Sequence, residues 1–153
     1  MKNLPELQGA FDAVDAWIDQ QVQGASAHPA TTANTWHRRK LINQEAYFVL
    51  AWGQFELEIE EACREFIRRR QHNPNWEQRR AIDIYNPEDP RLAGLSLEER
   101  VALVVDKNSD DRREIVKYYQ LRNLVAHGKS FATGIDFDQV VADLFSIYSR
   151  LSR

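Results

Sequence analysis

Apolar residues recur along most of this chain at steps of three and four, the spacing of one helical face. Leu7, Phe11, Val14 and Ile18 give the first such series and predict a helix over 4–22, with Pro5 in its first turn. A longer series, Phe48, Trp52, Phe55, Ile59, Ala62 and Phe66, predicts a long helix over 39–71 with a bundle-like seam. Its other face carries Glu58, Glu61, Glu65, Arg68 and Arg69, with Glu65 and Arg69 spaced to pair across one turn. Between these two helices, residues 24–35 are rich in Ala, Thr and Ser, contain Pro29, and read as a flexible connection.

Asn73-Pro74-Asn75 breaks the long helix, and a shorter helical piece over 76–85 is expected to follow. Residues 86–90, with two prolines, form a loop. Ser96 followed by Glu99 is a capping box that opens a short helix bearing Leu97, Val101, Val104 and Val105. A further helix starts near Asp110 or Asp111 and reaches about His127, where Gly128 supplies the stop. The last begins at Asp136, with Gln139 as its capping partner, and buries Phe137, Val141, Leu144, Tyr148 and Leu151. No strand alternation and no internal repeat is found. The expected fold is one all-α domain over 1–153: an antiparallel bundle of four main helices with one or two short inserted helices.

A net charge of −3 argues against a broadly basic, nucleic-acid-coating surface but leaves room for a local basic groove. Cys63 is the single cysteine, so neither an intrachain disulfide nor a cysteine zinc site is available; its place beside the seam suits core packing better than nucleophilic chemistry. His28, His37 and His72 have no ligand spacing, and neither a Gly-rich phosphate loop nor a Gly-x-Ser-x-Gly elbow is present. No metal and no cofactor is expected. Without a signal-like N-terminus or an apolar run approaching the roughly 20 residues of a span, a cytoplasmic location is expected and no membrane partner.

The candidate chemistry lies at the end of the penultimate helix, in Arg122-Asn123-Leu124-Val125-Ala126-His127-Gly128. Arg122 and His127 stand about 140° apart around a helix, so they cannot stack as a pair. Asn123 and His127 share a face, where the Asn could hold the imidazole in one tautomer. An imidazole gives or takes a proton near neutral pH, and a guanidinium binds phosphate through two parallel hydrogen bonds and stabilises charge developing on it. Such a pair suits metal-free phosphoryl transfer on RNA, whose 2′-hydroxyl is a built-in nucleophile. By itself the spacing favours a plainer role, with Arg122 in a surface ion pair and His127 at the negative end of the helix dipole.

The motif, in the penultimate helix of a small all-α chain, resembles the signature of the HEPN superfamily: an Arg, a polar residue that is often Asn, a few further residues and a His. Trp52-Gly53-Gln54-Phe55-Glu56-Leu57-Glu58-Ile59 resembles the second helix of such domains. The resemblance implies a helical bundle that dimerises so that two motifs form one composite site. It implies a metal-independent endoribonuclease of the toxin–antitoxin or defence kind. Arg122 would polarise the scissile phosphate, His127 would act as acid/base, and Asn123 would position one of them. The 140° offset agrees with a site shared between two chains. Residues 73–108 have no counterpart in the resemblance.

Lys129, Lys117 and Arg113, on or just after the motif helix, are the candidate substrate contacts, with Arg112 beside them; as phosphate contacts they would confer affinity without sequence choice. Glu56 is a candidate to orient Arg122 by an ion pair. Arg64, Arg68, Arg69, Arg70, Arg79 and Arg80, with Trp76, form a second basic cluster, read as a solvated face balanced by interleaved acids. The alternative function is a non-catalytic HEPN-like module that binds a protein partner or a nucleotide. A partner nucleotidyltransferase acting as antitoxin would have Tyr118, Tyr119, Tyr148 and Ser130 as acceptor hydroxyls.

Overall fold

A computed structural model describes residues 1, 3–25, 30–89, 92–131 and 134–151. Among these residues there are six α-helices and no strand: α1 (Leu4–Ala25), α2 (Ala30–Gln71), α3 (Trp76–Arg79), α4 (Leu97–Val104), α5 (Asp110–Ala126) and α6 (Phe137–Leu151). The all-α expectation holds. No helix among the described residues is long and apolar enough to cross a membrane.

α2 is the axis of the fold, and α1, α4, α5 and α6 all pack on it. At 42 residues it is about 63 Å long. It starts nine residues earlier than the apolar pattern indicated, so much of the expected 24–35 connection is helix; residues 26–29, with His28 and Pro29, lie outside the described residues, as does Pro90 of the later loop. Its buried seam is Phe48, Trp52, Phe55 and Ile59 as expected, then Cys63 and Ile67 in place of Ala62 and Phe66. The seam turns because this half of α2 meets α4, where the Cys63 thiol donates to the carbonyl of Arg100 at 3.0 Å.

α1 buries Leu4, Phe11, Ile18 and Ala25, while Val14 faces out. It runs against α2: Phe11 meets Tyr47, and Asp15 and Asp19, further along α1, meet Lys40, earlier in α2. α5 and α6 also run against each other, since Arg150 reaches Asp111 at one end and Tyr118 reaches Asp143 in the middle. Of the residues expected on the buried face of α6, Phe137, Val141 and Leu144 are buried, whereas Tyr148 and Leu151 are half-buried. The capping box at Ser96 and Glu99 forms as predicted. At Asp136 only half of the expected box forms: its carboxylate accepts from the Gln139 N–H, and the Gln139 side chain turns to Asp143.

The 73–108 segment folds back on the C-terminal half of α2. The Arg64 side chain donates to the carbonyls of Pro87 (2.5 Å) and Asp89 (2.8 Å), and Gln71 donates to those of Ile82 and Tyr85. The expected helix over 76–85 is only four residues long, and turns follow it; the carbonyls of Ile82 and Tyr85 accept from α2.

Glu45 is the one buried charged side chain among the described residues. Its carboxylate accepts the N–H of Phe131 at 2.8 Å and so fixes the chain leaving α5. Glu45→Ala strands that N–H and should cost about 1–3 kcal/mol, seen as a lower urea midpoint; Glu45→Gln, which keeps an acceptor oxygen, should cost less.

Candidate functional site

α5 is polar for most of its length, so capping and tertiary ties position it. The Ser109 hydroxyl accepts the Arg112 N–H at 3.2 Å, and Asp110 and Asp111 sit in the first turn, where the helix dipole favours negative charge. Inside, Ile115 and Tyr118 are buried. The Tyr118 hydroxyl donates to Asp143 at 2.6 Å; burial foremost, then this bond to a carboxylate, pushes its pKa well above the ordinary phenol range.

The C-terminus of α5 closes in a Schellman motif. The Gly128 N–H donates to Val125 O (2.9 Å) and the Lys129 N–H to Leu124 O (3.0 Å), with Gly128 at φ +73°. A residue with a Cβ pays strain in that left-handed conformation, so the glycine fixes where the helix stops. His127 becomes the C-cap residue, its N–H donating to Asn123 O at 3.0 Å.

Gln120, Asn123, Leu124, His127 and Lys129 line an open cleft of about 450 Å³ at this helix end. The structure thus brings three of the expected residues, Asn123, His127 and Lys129, together. The His127 side chain is exposed and makes no hydrogen bond among the described residues. Arg122 lies outside the lining, half-buried, and its Nη1 donates to Asn123 Oδ1 at 3.2 Å. This corrects the expected Asn–His pairing: Asn123 holds Arg122 at the cleft edge and leaves the imidazole unsupported within the chain.

The remaining candidates are more distant or otherwise engaged. Arg113 and Lys117 lie on the same exposed face of α5 as Gln120, Leu124 and His127. Arg113 is ion-paired with Asp110, and Lys117 with Glu114 at 2.8 Å. Both pairs are solvent-exposed and so weak enough to exchange for a phosphate. Glu56 does not reach Arg122; its carboxylate accepts the Trp52 indole N–H at 2.7 Å. Its contribution is to fix the ring that stacks on Tyr119 of α5 at 6.3 Å.

Much of the second basic cluster is neutralised, as its interleaved acids suggested. Arg64 pairs with Glu60, Arg68 with Glu61 and Glu88, Arg69 with Glu65, and Arg79 with Asp83. Arg70 and Arg80 lie over the rings of Phe66 and Trp76. Among the described residues no three His, Cys, Asp or Glu side chains converge as a metal site. Gln120 was not singled out in the sequence, although it stands seven residues before His127 on the same face. Glu45 was missed as well; an acid among the apolar positions of α2 was the available signal.

No protein-family model matches the chain, and no curated protein or solved structure shows significant similarity to it.

Cys63 is fully buried, and desolvation pushes its thiol up to about 12 from 9.0. The thiol should resist alkylation at pH 8 in the native protein and react on unfolding. Because the folded pKa is the higher one, its contribution to stability is complete below pH 9 and is lost as pH rises from 9 toward 12. Chemical denaturation at stepped pH checks this: the decline should be shallower in Cys63→Ala, the difference approaching 1.4 kcal/mol per pH unit at most.

Proposed function

We propose that this chain is a metal-independent endoribonuclease of the HEPN type, acting as a homodimer and serving as a toxin or phage-defence effector. The observation that carries the reading is the cleft at the end of α5, which gathers Asn123, His127 and Lys129, with Arg122 bonded to the Asn at its edge. The alternating directions of α1, α2, α5 and α6 suit the antiparallel four-helix arrangement of such domains.

In the proposed reaction, His127 takes the proton from a ribose 2′-hydroxyl. The 2′-oxygen bonds to the adjacent phosphorus while the bond from phosphorus to the 5′-oxygen breaks. The imidazole, or that of the second chain, returns a proton to the leaving 5′-oxygen. The products are a 2′,3′-cyclic phosphate and a 5′-hydroxyl. Arg122 stabilises the charge that builds on the non-bridging oxygens, and Lys129, with Lys117 and Arg113 further along α5, attracts the flanking phosphates.

Support for a second copy comes from the outer face of α2. Ile42, Leu50 and Leu57 are more than half exposed there (51%, 54% and 61%). Gly53 lies among them, and a Cβ at this position would meet nothing within 4 Å. A mid-helix glycine costs roughly 0.5–1 kcal/mol relative to alanine and has no packing reason within the chain. Close approach of another helix would supply one.

In EDTA the wild type should cut RNA, while Arg122→Ala and His127→Ala should each cut about 10²-fold more slowly or worse. Equal cutting by all three would remove these residues from the site. No cutting by any, with the dimer intact, would favour the non-catalytic module that binds a protein or nucleotide. Leu57→Glu should shift the mass measured by light scattering from dimer to monomer and abolish cleavage. Its urea stability at low concentration should stay within about 0.5 kcal/mol of wild type, since the side chain is exposed.

A further inference from the structure

We propose that Gln120 seats the base of the nucleotide whose 2′-hydroxyl attacks, with that base lying over Leu124 and its hydrogen-bonding edge on the Gln120 amide. This rests on the ribonuclease reading for the reacting phosphate, and adds the residue that holds the cut nucleotide by its base.

Three side chains of the cleft form one row. Gln120, Leu124 and His127 follow one another at steps of four and three on the same face of α5. Gln120 and His127 therefore stand about 10 Å apart along the helix, with Leu124 between them. All three line the cleft of about 450 Å³. Leu124 is 40% exposed and gives the cleft an apolar floor. The Gln120 side chain is exposed and makes no hydrogen bond among the described residues. Asn123, the other amide of the lining, has its oxygen on Arg122. Gln120 is thus the cleft amide with both its oxygen and its nitrogen open to a ligand.

Charge puts the phosphate at the His127 end of the row. Residues 115–135 contain Lys117, Arg122 and Lys129 and no Asp or Glu, on a chain of net charge −3. Lys117 is paired with Glu114, whereas Arg122 and Lys129 have no carboxylate partner among the described residues. The acids of neighbouring helices are turned elsewhere. Asp143 of α6 takes the Tyr118 hydroxyl, Glu56 of α2 takes the Trp52 indole, and Glu45 is buried on the Phe131 N–H. The negative end of the α5 dipole opposes an anion by about half a charge, less than the two cations supply. A phosphate beside His127 and Lys129 leaves its ribose and base to extend over Leu124 toward Gln120. Two turns of helix match the reach of one nucleotide from phosphate to base edge.

An amide presents a donor and an acceptor side by side. Adenine and cytosine offer an amino donor beside a ring-nitrogen acceptor; guanine and uracil offer a carbonyl acceptor beside a ring N–H. Gln120, turned over, matches either pattern, so it positions the base without choosing among the four. A base in a duplex has this edge occupied, so the nucleotide in the cleft is an unpaired one. Holding the base orients the ribose and aims its 2′-hydroxyl at His127.

The test is cleavage in EDTA of a 2′-O-methyl strand with a single ribonucleotide, so that only one bond can be cut. That ribonucleotide carries uracil, adenine or no base. The wild type should cut the base-free strand roughly tenfold more slowly than the other two. Gln120→Ala should cut the uracil and adenine strands roughly tenfold more slowly than wild type, with little further loss on the base-free strand. Its thermal midpoint and light-scattering mass should match wild type. Binding is read separately, by NMR titration with uridine 3′-monophosphate and with ribose 3-phosphate. The wild type should favour the first, and Gln120→Ala should bind both alike.

An unchanged rate in Gln120→Ala would overturn the proposal, as would losses from the variant and the missing base that simply multiply. A fall in mass in Gln120→Ala would overturn it too, assigning the side chain to contact between copies. If the wild type cuts no strand but favours the uridine nucleotide through Gln120, the base seat stands and the ribonuclease reading falls. If it neither cuts nor favours that nucleotide, both fall.

Discussion

The packing of Trp52 between α2 and α5 is the contact on which the candidate site depends. α5 reads DDRREIVKYYQLRNLVA, largely polar, and a helix of this length has little stability by itself in water. Tyr118 and Tyr119 hold it to α2. Tyr118 lies beside Phe48, and Tyr119 stacks on Trp52, whose indole N–H is in turn held by Glu56. A fully buried aromatic ring contributes on the order of 1.5–3 kcal/mol, so these few rings outweigh what the polar face of α5 could supply through surface ion pairs. Position along the bundle comes from those rings. Direction comes from the polar ties of α5 to α6, Tyr118 with Asp143 and Arg150 with Asp111.

The helix end is then fixed from two sides. Gly128 turns the chain out of the helix, and Glu45 catches it three residues later at Phe131. At this turn His127, on the near side of Gly128, and Lys129, just past it, line the cleft. The two devices differ in kind: the glycine answers a local constraint on φ, whereas the glutamate draws a distant backbone N–H into a place where water cannot satisfy it.

How much of this was legible in the sequence follows the same division. The end of α5, the box at Ser96 and the start of the seam at Phe48 and Trp52 are local signals, and each appears where the pattern placed it. The early part of α2 was hidden because Thr31, Thr32, Asn34 and Thr35 are indifferent helix formers. A tertiary contact, Trp36 on Trp17, supports that turn. The shift of the seam to Cys63 and Ile67 depended on α4 arriving at one side, which no periodicity within α2 records. At the site, the shared face of Asn123 and His127 was legible, but the Asn123 partner was not. The flexible Arg122 side chain folds back onto its neighbour, a contact that helical spacing does not forecast. The partner of Glu56 stood in plain view one turn earlier, at Trp52.

The Asn123–Arg122 bond also bears on how many chains the proposed site needs. A general base is ordinarily oriented by a third group that fixes its tautomer and aims its free nitrogen. Here the nearest amide along the helix is given to Arg122, and the imidazole of His127 is left open to the cleft. Within one chain the cation is held and the base is not. A twofold axis near the end of α5 would bring the same elements in again from the opposite side. The edge of one cleft, with its ordered Arg–Asn pair, would then face the unsupported imidazole of the other. On this view the departure from the expected Asn–His pairing suits the proposed composite site, because among the described residues of one chain no side chain bonds the imidazole.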